Sequence, residues 1–402
     1  MTRLLLILIT AATSATLVLA QSTVTVFEGG RVIVGDGKVI DNATIVVDGA
    51  RITQVGPAAS ITAPAGAARV SLAGKTVMPA IVDTHVHTST TAAELENDLR
   101  RRAQFGIGAA LSLGLDGTDA AFEQRGKVVP GLARIFTAGR GITAPEKGRT
   151  DVPYWITSEA EARKAVQELA AKKVDIIKIW VDDRDGKFPK LTPTLYGAVI
   201  DEAHRHQLRV TAHIFSLEDA KGLLKAGVDS FAHGIRDRDV DDEVVGLFKA
   251  RPNVVLIPNM PDRGVAADYS WLKGRIADGE LQKLQAGATD RPQVAATWAI
   301  QGRNLKRLSD AGVKITVGTD GNTPWAPHVE MADMVAAGMT PAQVLVAATR
   351  NGAELLGMIK ELGTVEAGKS ADFLIFDGNP LEDITNTRRI NAVYLRGTAV
   401  PR

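Results

Sequence analysis

Two histidines stand two residues apart at the end of an apolar run, Ala80-Ile81-Val82-Asp83-Thr84-His85-Val86-His87. On a β-strand, residues i and i+2 share a face, so His85 and His87 present their imidazoles side by side. Neutral imidazole is a preferred ligand for zinc and related divalent ions. One such pair is weak evidence, because a rim or core histidine with a satisfied hydrogen bond is commoner than a ligand. The same texture recurs, however. Arg209-Val210-Thr211-Ala212-His213 and Ser230-Phe231-Ala232-His233 are apolar runs closed by His, and Gly318-Thr319-Asp320 closes another with a carboxylate. Lys178 lies inside Asp175-Ile176-Ile177-Lys178-Ile179-Trp180. Four of the chain's seven histidines fall in this set. Any one of them alone reads as structural; their recurrence at strand ends reads as a metal site. The chain has no cysteine, so thiolate ligands and disulfides are excluded.

The elements that must position these groups alternate. Apolar strands recur at residues 80–87, 108–113, 134–138, 175–180, 209–213, 230–233, 254–258 and 314–318. Helical patterns separate them, such as 158–172, opened by a Ser158/Glu161 capping box, 195–206, and 217–226, ended by Gly227. Eight βα units over this length imply an α/β fold of the (β/α)8 TIM-barrel type, whose active sites lie at the C-terminal strand ends. Residues 22–78 are different: short Val/Ile/Thr runs broken by Gly and Pro, read as a small antiparallel β unit. Similar strands return at 371–376 and 392–395. Both chain ends are therefore expected to build one β-sandwich beside the barrel. The expected division is a signal peptide at 1–20, an N-terminal sandwich segment at 21–78, the barrel at 79–359 and a C-terminal sandwich segment at 360–402.

The 402 residues are 45% hydrophobic and 23% charged, with a formal net charge of +1. That balance gives no electrostatic case for nucleic acid or an anionic membrane. Arg3, the apolar stretch 4–19 and the small-residue junction Val18-Leu19-Ala20 read as a cleaved signal peptide. The expectation is a secreted or periplasmic protein with no stable membrane association after cleavage. Self-association is left open.

The run Val77-Met78-Pro79-Ala80-Ile81-Val82-Asp83-Thr84-His85-Val86-His87 resembles the first barrel strand of the amidohydrolase superfamily. Thr211-Ala212-His213, Phe231-Ala232-His233-Gly234 and Gly318-Thr319-Asp320 resemble its other ligand strands, and Ala367-Gly368-Lys369-Ser370-Ala371-Asp372-Phe373 its closing β-sandwich. The resemblance spans essentially the whole mature chain. It is nearest to the branch of imidazolonepropionase-like and Xaa-Pro dipeptidase-like or carboxypeptidase-like enzymes. Ala80 departs from the usual Gly, a mild backbone change. The resemblance implies that His85, His87 and Asp320 bind one divalent ion and His213 and His233 a second, both of the zinc kind. It also implies that Lys178 bridges them as a carbamate made with carbon dioxide. That role is chemically coherent: an ammonium has no lone pair, but burial beside cations lowers a lysine's pKa, and the neutral amine can add carbon dioxide. A rim lysine paired with Asp182 or Asp183 is the plain alternative. Two cations sharing a water would supply hydroxide near neutral pH, with Asp320 as catalytic general acid–base.

The implied activity is hydrolysis of an amide bond in a small substrate, a dipeptide or an N-acyl amino acid. A cyclic-amide or lactone hydrolase, a mononuclear deaminase and a catalytically silent binding protein are the alternatives. Lys178 speaks against the deaminase, and the complete ligand set against the silent protein. Substrate-reading candidates are Trp180, Asp182, Asp183 and Arg184 after the fourth strand and Arg140, Tyr154 and Trp155 after the third. Arg236 follows the sixth strand, and Trp325 and His328 the eighth. His204 and His206 read as surface residues, and the acidic run 237–243 as a solvated loop without the pattern of a calcium loop.

Overall fold

The structure, a computed structural model, describes residues 24–402. The expected signal segment at 1–20 lies outside the described residues. Eight short parallel strands form the barrel: Ile81–Val86, Ile107–Ser112, Arg134–Thr137, Ile177–Trp180, Val210–His213, Ser230–Ala232, Val255–Ile257 and Lys314–Ile315. The first three pair in sequence, as do the fourth to the eighth. Backbone bonds join the two groups: Asp175 N–H donates to Thr137 O (2.9 Å) ahead of the fourth strand, and Thr84 N–H to Val317 O (2.9 Å) beyond the eighth. All eight expected strands are present; of the five that carry candidate ligands, the first, fifth, sixth and eighth run into His or Asp at their C-terminal ends, and the fourth holds Lys178 within it.

The intervening helices follow from the patterns that announce them. In Glu159–Ala171, Ser158 Oγ accepts from Glu161 N–H (3.3 Å) while the Glu161 carboxylate accepts from Ser158 N–H (3.1 Å). Leu217–Ala226 ends at Gly227, and the third pattern forms Pro193–Arg205. Their buried faces, including Val166, Leu169, Val199, Ile200, Leu223 and Leu224, pack on the outward-facing strand residues Ile177, Ile179, Val210 and Phe231 in one continuous core. Burial of that apolar surface, at roughly 25 cal/mol per Å², is what holds the strand ends in place.

Both chain ends build one sheet. Its order runs Thr398–Ala399, Ile390–Leu395, Phe373–Phe376, Thr76–Pro79, Val24–Ile33, Val39–Asp48 and Arg51–Pro57, with Ala68–Ser71 also on Val24–Ile33. It curls as a β-sandwich around its own core of Phe27, Val32, Ile45, Ile52, Leu72, Val77, Phe373 and Ile375. The expectation of a purely antiparallel N-terminal unit is corrected here: Val24–Ile33 pairs in parallel with both Ala68–Ser71 and Thr76–Pro79. Residues 58–67, with Pro64 and Gly66, are too long for a hairpin and carry the chain across the sheet before it pairs again. Thr76–Pro79 pairs with Phe373–Phe376 and leads directly into the first barrel strand. Ala80, the departure noted in the sequence, is buried against the second strand, where a side chain at Gly108 would come within 2.8 Å of its Cβ. The glycine opposite makes room for the added methyl.

Among the described residues, no helix is long and apolar enough to cross a membrane.

Candidate metal centre

Asp320 is the hub of the site. Its Oδ1 lies 3.0 Å from both His85 Nε2 and His87 Nε2, and its Oδ2 lies 3.6 Å from His233 Nε2. The ligand-capable atoms of His85, His233 and Asp320 all fall within 4.8 Å of one another. His213 stands beside His233, ring centroids 4.4 Å apart. Its Nε2, however, faces an ion pair: Asp182 Oδ2 at 2.9 Å and Arg184 Nη1 at 3.0 Å, themselves 2.6 Å apart. Lys178 is completely buried, with Nζ 5.3 Å from the centroid of the Trp180 ring and no hydrogen-bond partner. The rim alternative for it is removed, because Asp182 is engaged by Arg184 and His213, while Asp183 faces Lys190 at 3.9 Å.

The backbone bends to achieve this convergence. His233, Asn259 and Asp320 all have positive φ (76°, 44° and 54°). Such conformations cost non-glycine residues on the order of 1–3 kcal/mol and cluster at functional sites. Gly318 lets the eighth strand close on the first: a Cβ there would stand 2.9 Å from His85 Cβ and 2.4 Å from Ile257.

Asn259 is a site residue that the sequence reading does not single out, although it closes the seventh strand as the other site residues close theirs. Its Oδ1 accepts from the His233 backbone N–H (3.2 Å), which identifies that atom as the amide oxygen. The same oxygen therefore takes the proton of His85 Nδ1 (2.9 Å). The tautomer follows: His85 Nε2 carries a lone pair and faces the Asp320 carboxylate. Two acceptors set face to face repel unless a cation lies between them. Burial reinforces this by disfavouring the imidazolium. It pulls His85 down to about 4 and holds His213 and His233 well below the usual histidine range. Burial pushes the Asp320 carboxyl up, while positive charge at the imidazole positions, or a cation held among them, pulls it below the usual carboxylate range. Burial lowers Lys178 to about 7, with Arg184 adding to the effect and Asp320 opposing it. His87 Nδ1, His233 Nδ1 and Lys178 Nζ are buried without partners. Neutral imidazoles, one carboxylate and an available amine suit divalent ions of the zinc type.

A second layer holds the frame. Asp83 accepts from Thr319 Oγ1 (2.8 Å) and from the backbone N–H groups of Thr319 (3.2 Å) and His85 (3.3 Å). It also pairs with Arg102 at 3.4 Å, both side chains fully buried. Arg102 Nη2 in turn donates to Gly321 O (2.9 Å) and Asn322 Oδ1 (3.1 Å). One guanidinium thus ties the His-x-His strand to the loop that carries Asp320.

Above the hub lies a cleft of about 670 Å³, lined by Arg149, Thr150, Trp180, Arg184, Arg236 and Met260 together with the site residues. The substrate candidates divide here. Trp180, Arg184 and Arg236 reach the cleft. Arg140 does not; it stacks 4.1 Å from the Tyr154 ring centroid and donates to Val152 O. Arg149 and Thr150, farther along the same loop, take its place. Trp325 and His328 are also corrected: both are buried, Trp325 against Phe105, and His328 Nε2 donates to Phe105 O (2.9 Å). The helix Ala326–Ala336 turns them into the core, a direction that residue order alone does not show. His204 and His206 are exposed, 2.9 Å from Asp229 and 3.5 Å from Glu202. The acidic run caps Asp242–Ala250 through Asp241 and pairs with Lys221.

The fold and site define a barrel with a candidate metal centre at the C-terminal ends of its strands, and comparison makes the assignment. The Amidohydrolase family model matches residues 76–400, so the chain belongs to that family. It is 27% identical to the imidazolonepropionase of Deinococcus radiodurans over 390 residues, covering 90% of this chain and 93% of the relative. It is equally identical to a functionally uncharacterised protein of Mycobacterium tuberculosis over 354 residues, 84% of this chain and 88% of that one. Among solved structures, a Bifidobacterium longum protein provisionally named a prolidase aligns with TM-score 0.78 and 28% identity, over 95% of this chain and 96% of its own. A Xaa-Pro dipeptidase with methionine bound in its active site aligns with TM-score 0.75 and 24% identity, over 94% and 99% of the two chains. The protein is an amidohydrolase-family hydrolase acting on carbon–nitrogen bonds of small molecules.

Proposed function

We propose that the protein hydrolyses an amide bond in a dipeptide or an N-acyl amino acid, using two divalent ions. The observation that carries this reading is the convergence of His85, His87 and His233 Nε2 on the Asp320 carboxylate, with the buried, partner-free amine of Lys178 nearby. His85, His87 and Asp320 would hold one ion and His213 and His233 the other, with Lys178 between them as a carbamate. When bound, the ions would supply water of lowered pKa and polarise the substrate carbonyl. The chain's own residues do the rest. Asn259 and Asp83 hold His85 and the Asp320 loop in register. Asp320 takes a proton from the attacking water and returns it to the leaving nitrogen as the C–N bond breaks. Water oxygen ends on the acyl carbon, and the products are a carboxylate and an amine. Lys178, neutral above about pH 7, forms an N–C bond to carbon dioxide, loses a proton and becomes an anionic oxygen donor.

A single-metal centre is the second reading, favoured by the tight grouping of His85, His233 and Asp320 and by the engagement of His213 with Asp182. Lys178→Ala separates the two. The binuclear reading expects this variant to lose one of two ions and its activity, with acetate or propionate restoring both by filling the cavity. Metal analysis of protein purified with bicarbonate, with and without added acid, reads this directly. Two ions and full activity in Lys178→Ala without additive would end the carbamate assignment. Export belongs to the same proposal: a mature N-terminus at Gln21 in the exported fraction is the expected product.

A further inference from the structure

We infer that the cleft selects an amide whose leaving half carries a carboxylate and whose acyl half carries no ammonium, an N-acyl amino acid, and that Arg236 binds the carboxylate. This rests on the amide-hydrolase reading above and chooses between its two open substrate kinds. The charges lining the cleft are unequal. Three guanidiniums, Arg149, Arg184 and Arg236, face one carboxylate, Asp320, which is already surrounded by imidazoles.

Two of the three arginines are answered by the protein. Arg184 pairs with Asp182 at 2.6 Å and stands 3.6 Å from Glu146, and Arg149 pairs with Glu146. Arg236 is different. Among the described residues, no carboxylate oxygen lies within ion-pair distance of it and its guanidinium makes no hydrogen bond; Asp182 and Asp320 attract it only from farther off, and its Nε, like Arg184 Nε and Nη2, is buried without a hydrogen-bond partner. Its guanidinium lies 5.2 Å from the Phe215 ring centroid, which orients it without neutralising it. The adjacent Asp237 is occupied, accepting from Leu217 N–H (2.9 Å) and Arg238 Nε (2.8 Å). A cation in a catalytic cleft, with its protein partners committed elsewhere, is matched by an anionic group on the substrate.

The same inventory disfavours a free amino terminus. An ammonium on the acyl half would need a carboxylate. Asp182 is shared by Arg184 and His213, Glu146 is buried under two arginines, and Asp320 belongs to the metal hub. A dipeptide would therefore place its ammonium among like charges. A neutral lactone would leave Arg236 unanswered.

The test compares N-acetyl-L-leucine, N-acetyl-L-leucinamide and L-alanyl-L-leucine on the zinc-loaded full chain, repeated with the alanine and phenylalanine series. Hydrogen bonds to charged groups contribute about ten- to a hundredfold. The acid is therefore expected to exceed both the amide and the dipeptide in kcat/KM by about tenfold or more. Arg236→Gln should raise KM for the acid by a similar factor with little change in kcat, and so remove most of the acid's advantage over the amide. Arg236→Lys should restore part of the loss. Melting curves establish that the variants fold. Calorimetric binding of the acid and the amide to metal-free protein gives a readout independent of turnover. If no compound is hydrolysed by metal-loaded protein, the amide-hydrolase reading fails, while the titration still decides the carboxylate site. Equal binding of acid and amide, a dipeptide handled as well as the acid, or an unchanged acid KM in Arg236→Gln would overturn the inference.

Discussion

Asp320 combines three properties: positive φ, contact with three imidazoles and an open face toward the substrate space. Replacing it with Asn keeps an oxygen for coordination but removes the proton acceptor. Asp320→Asn is expected to retain metal and lose about 10²- to 10⁴-fold in kcat, the usual contribution of a general acid–base group. Metal analysis alongside turnover on a confirmed substrate checks this. A fully metallated variant within a few-fold of wild type would assign the proton transfer elsewhere. Asn259 acts at the same scale through another residue, because it decides which nitrogen of His85 carries the lone pair. Asn259→Ala is expected to weaken metal binding by about 10- to 100-fold, in line with other groups that orient a ligand from behind. A competitive chelator titration measures that loss.

At the scale of elements, the His-x-His strand and the Asp320 loop are joined by a buried charge pair rather than by sheet hydrogen bonds alone. Arg102 comes from the helix Ala92–Gln104 and reaches Asp83, Gly321 and Asn322. Removing one partner of such a pair strands the other charge in the interior, and burial already pushes Asp83 up to about 6. Arg102→Met is expected to cost about 3–5 kcal/mol, read by denaturant unfolding. A loss below about 1 kcal/mol, the level of an exposed pair, would mean that the clamp contributes little. The β-sandwich acts on the same strand from its other end, since Thr76–Pro79 feeds Ile81–Val86 without a loop.

For the whole molecule, stability should respond to both metal and pH. Ions that bind only the folded chain stabilise it by about 2.7 kcal/mol at a hundredfold excess over Kd. Chelation is expected to lower Tm and zinc to restore it, and a Tm indifferent to chelator would argue against a native metal centre. Asp333, on the helix Ala326–Ala336, supplies a separate pH signal. Burial raises it from 3.8 to about 6, although Arg263 opposes the shift. Between these values the folded state binds more protons than the unfolded one, so stability falls as pH rises from about 4 to 6. Asp333→Asn is expected to flatten that limb and raise Tm at pH 7. Scanning calorimetry of both proteins across this range checks the sign.

The sequence by itself determined the barrel, because apolar runs alternating with helical periods report burial locally, residue by residue. It also marked His85, His87, Lys178, His213, His233 and Asp320, since each lies in or closes an apolar run whose direction in a barrel is known. Asn259 carries the same signal after Ile257-Pro258, but an amide is a poor metal ligand, so its residue type conceals its role. The tertiary structure decided what depends on distance between strands remote in sequence. It set the tautomer of His85, turned His213 toward Asp182, and left Arg236 without an ion pair while pairing Arg184 with Asp182. It also buried His328 and Trp325, and ran Ala68–Ser71 parallel to Val24–Ile33. Hydrophobic pattern fixes which face a residue shows, whereas charge pairing and hydrogen bonding depend on which other faces it meets. Those meetings exist only once the ring of strands has closed.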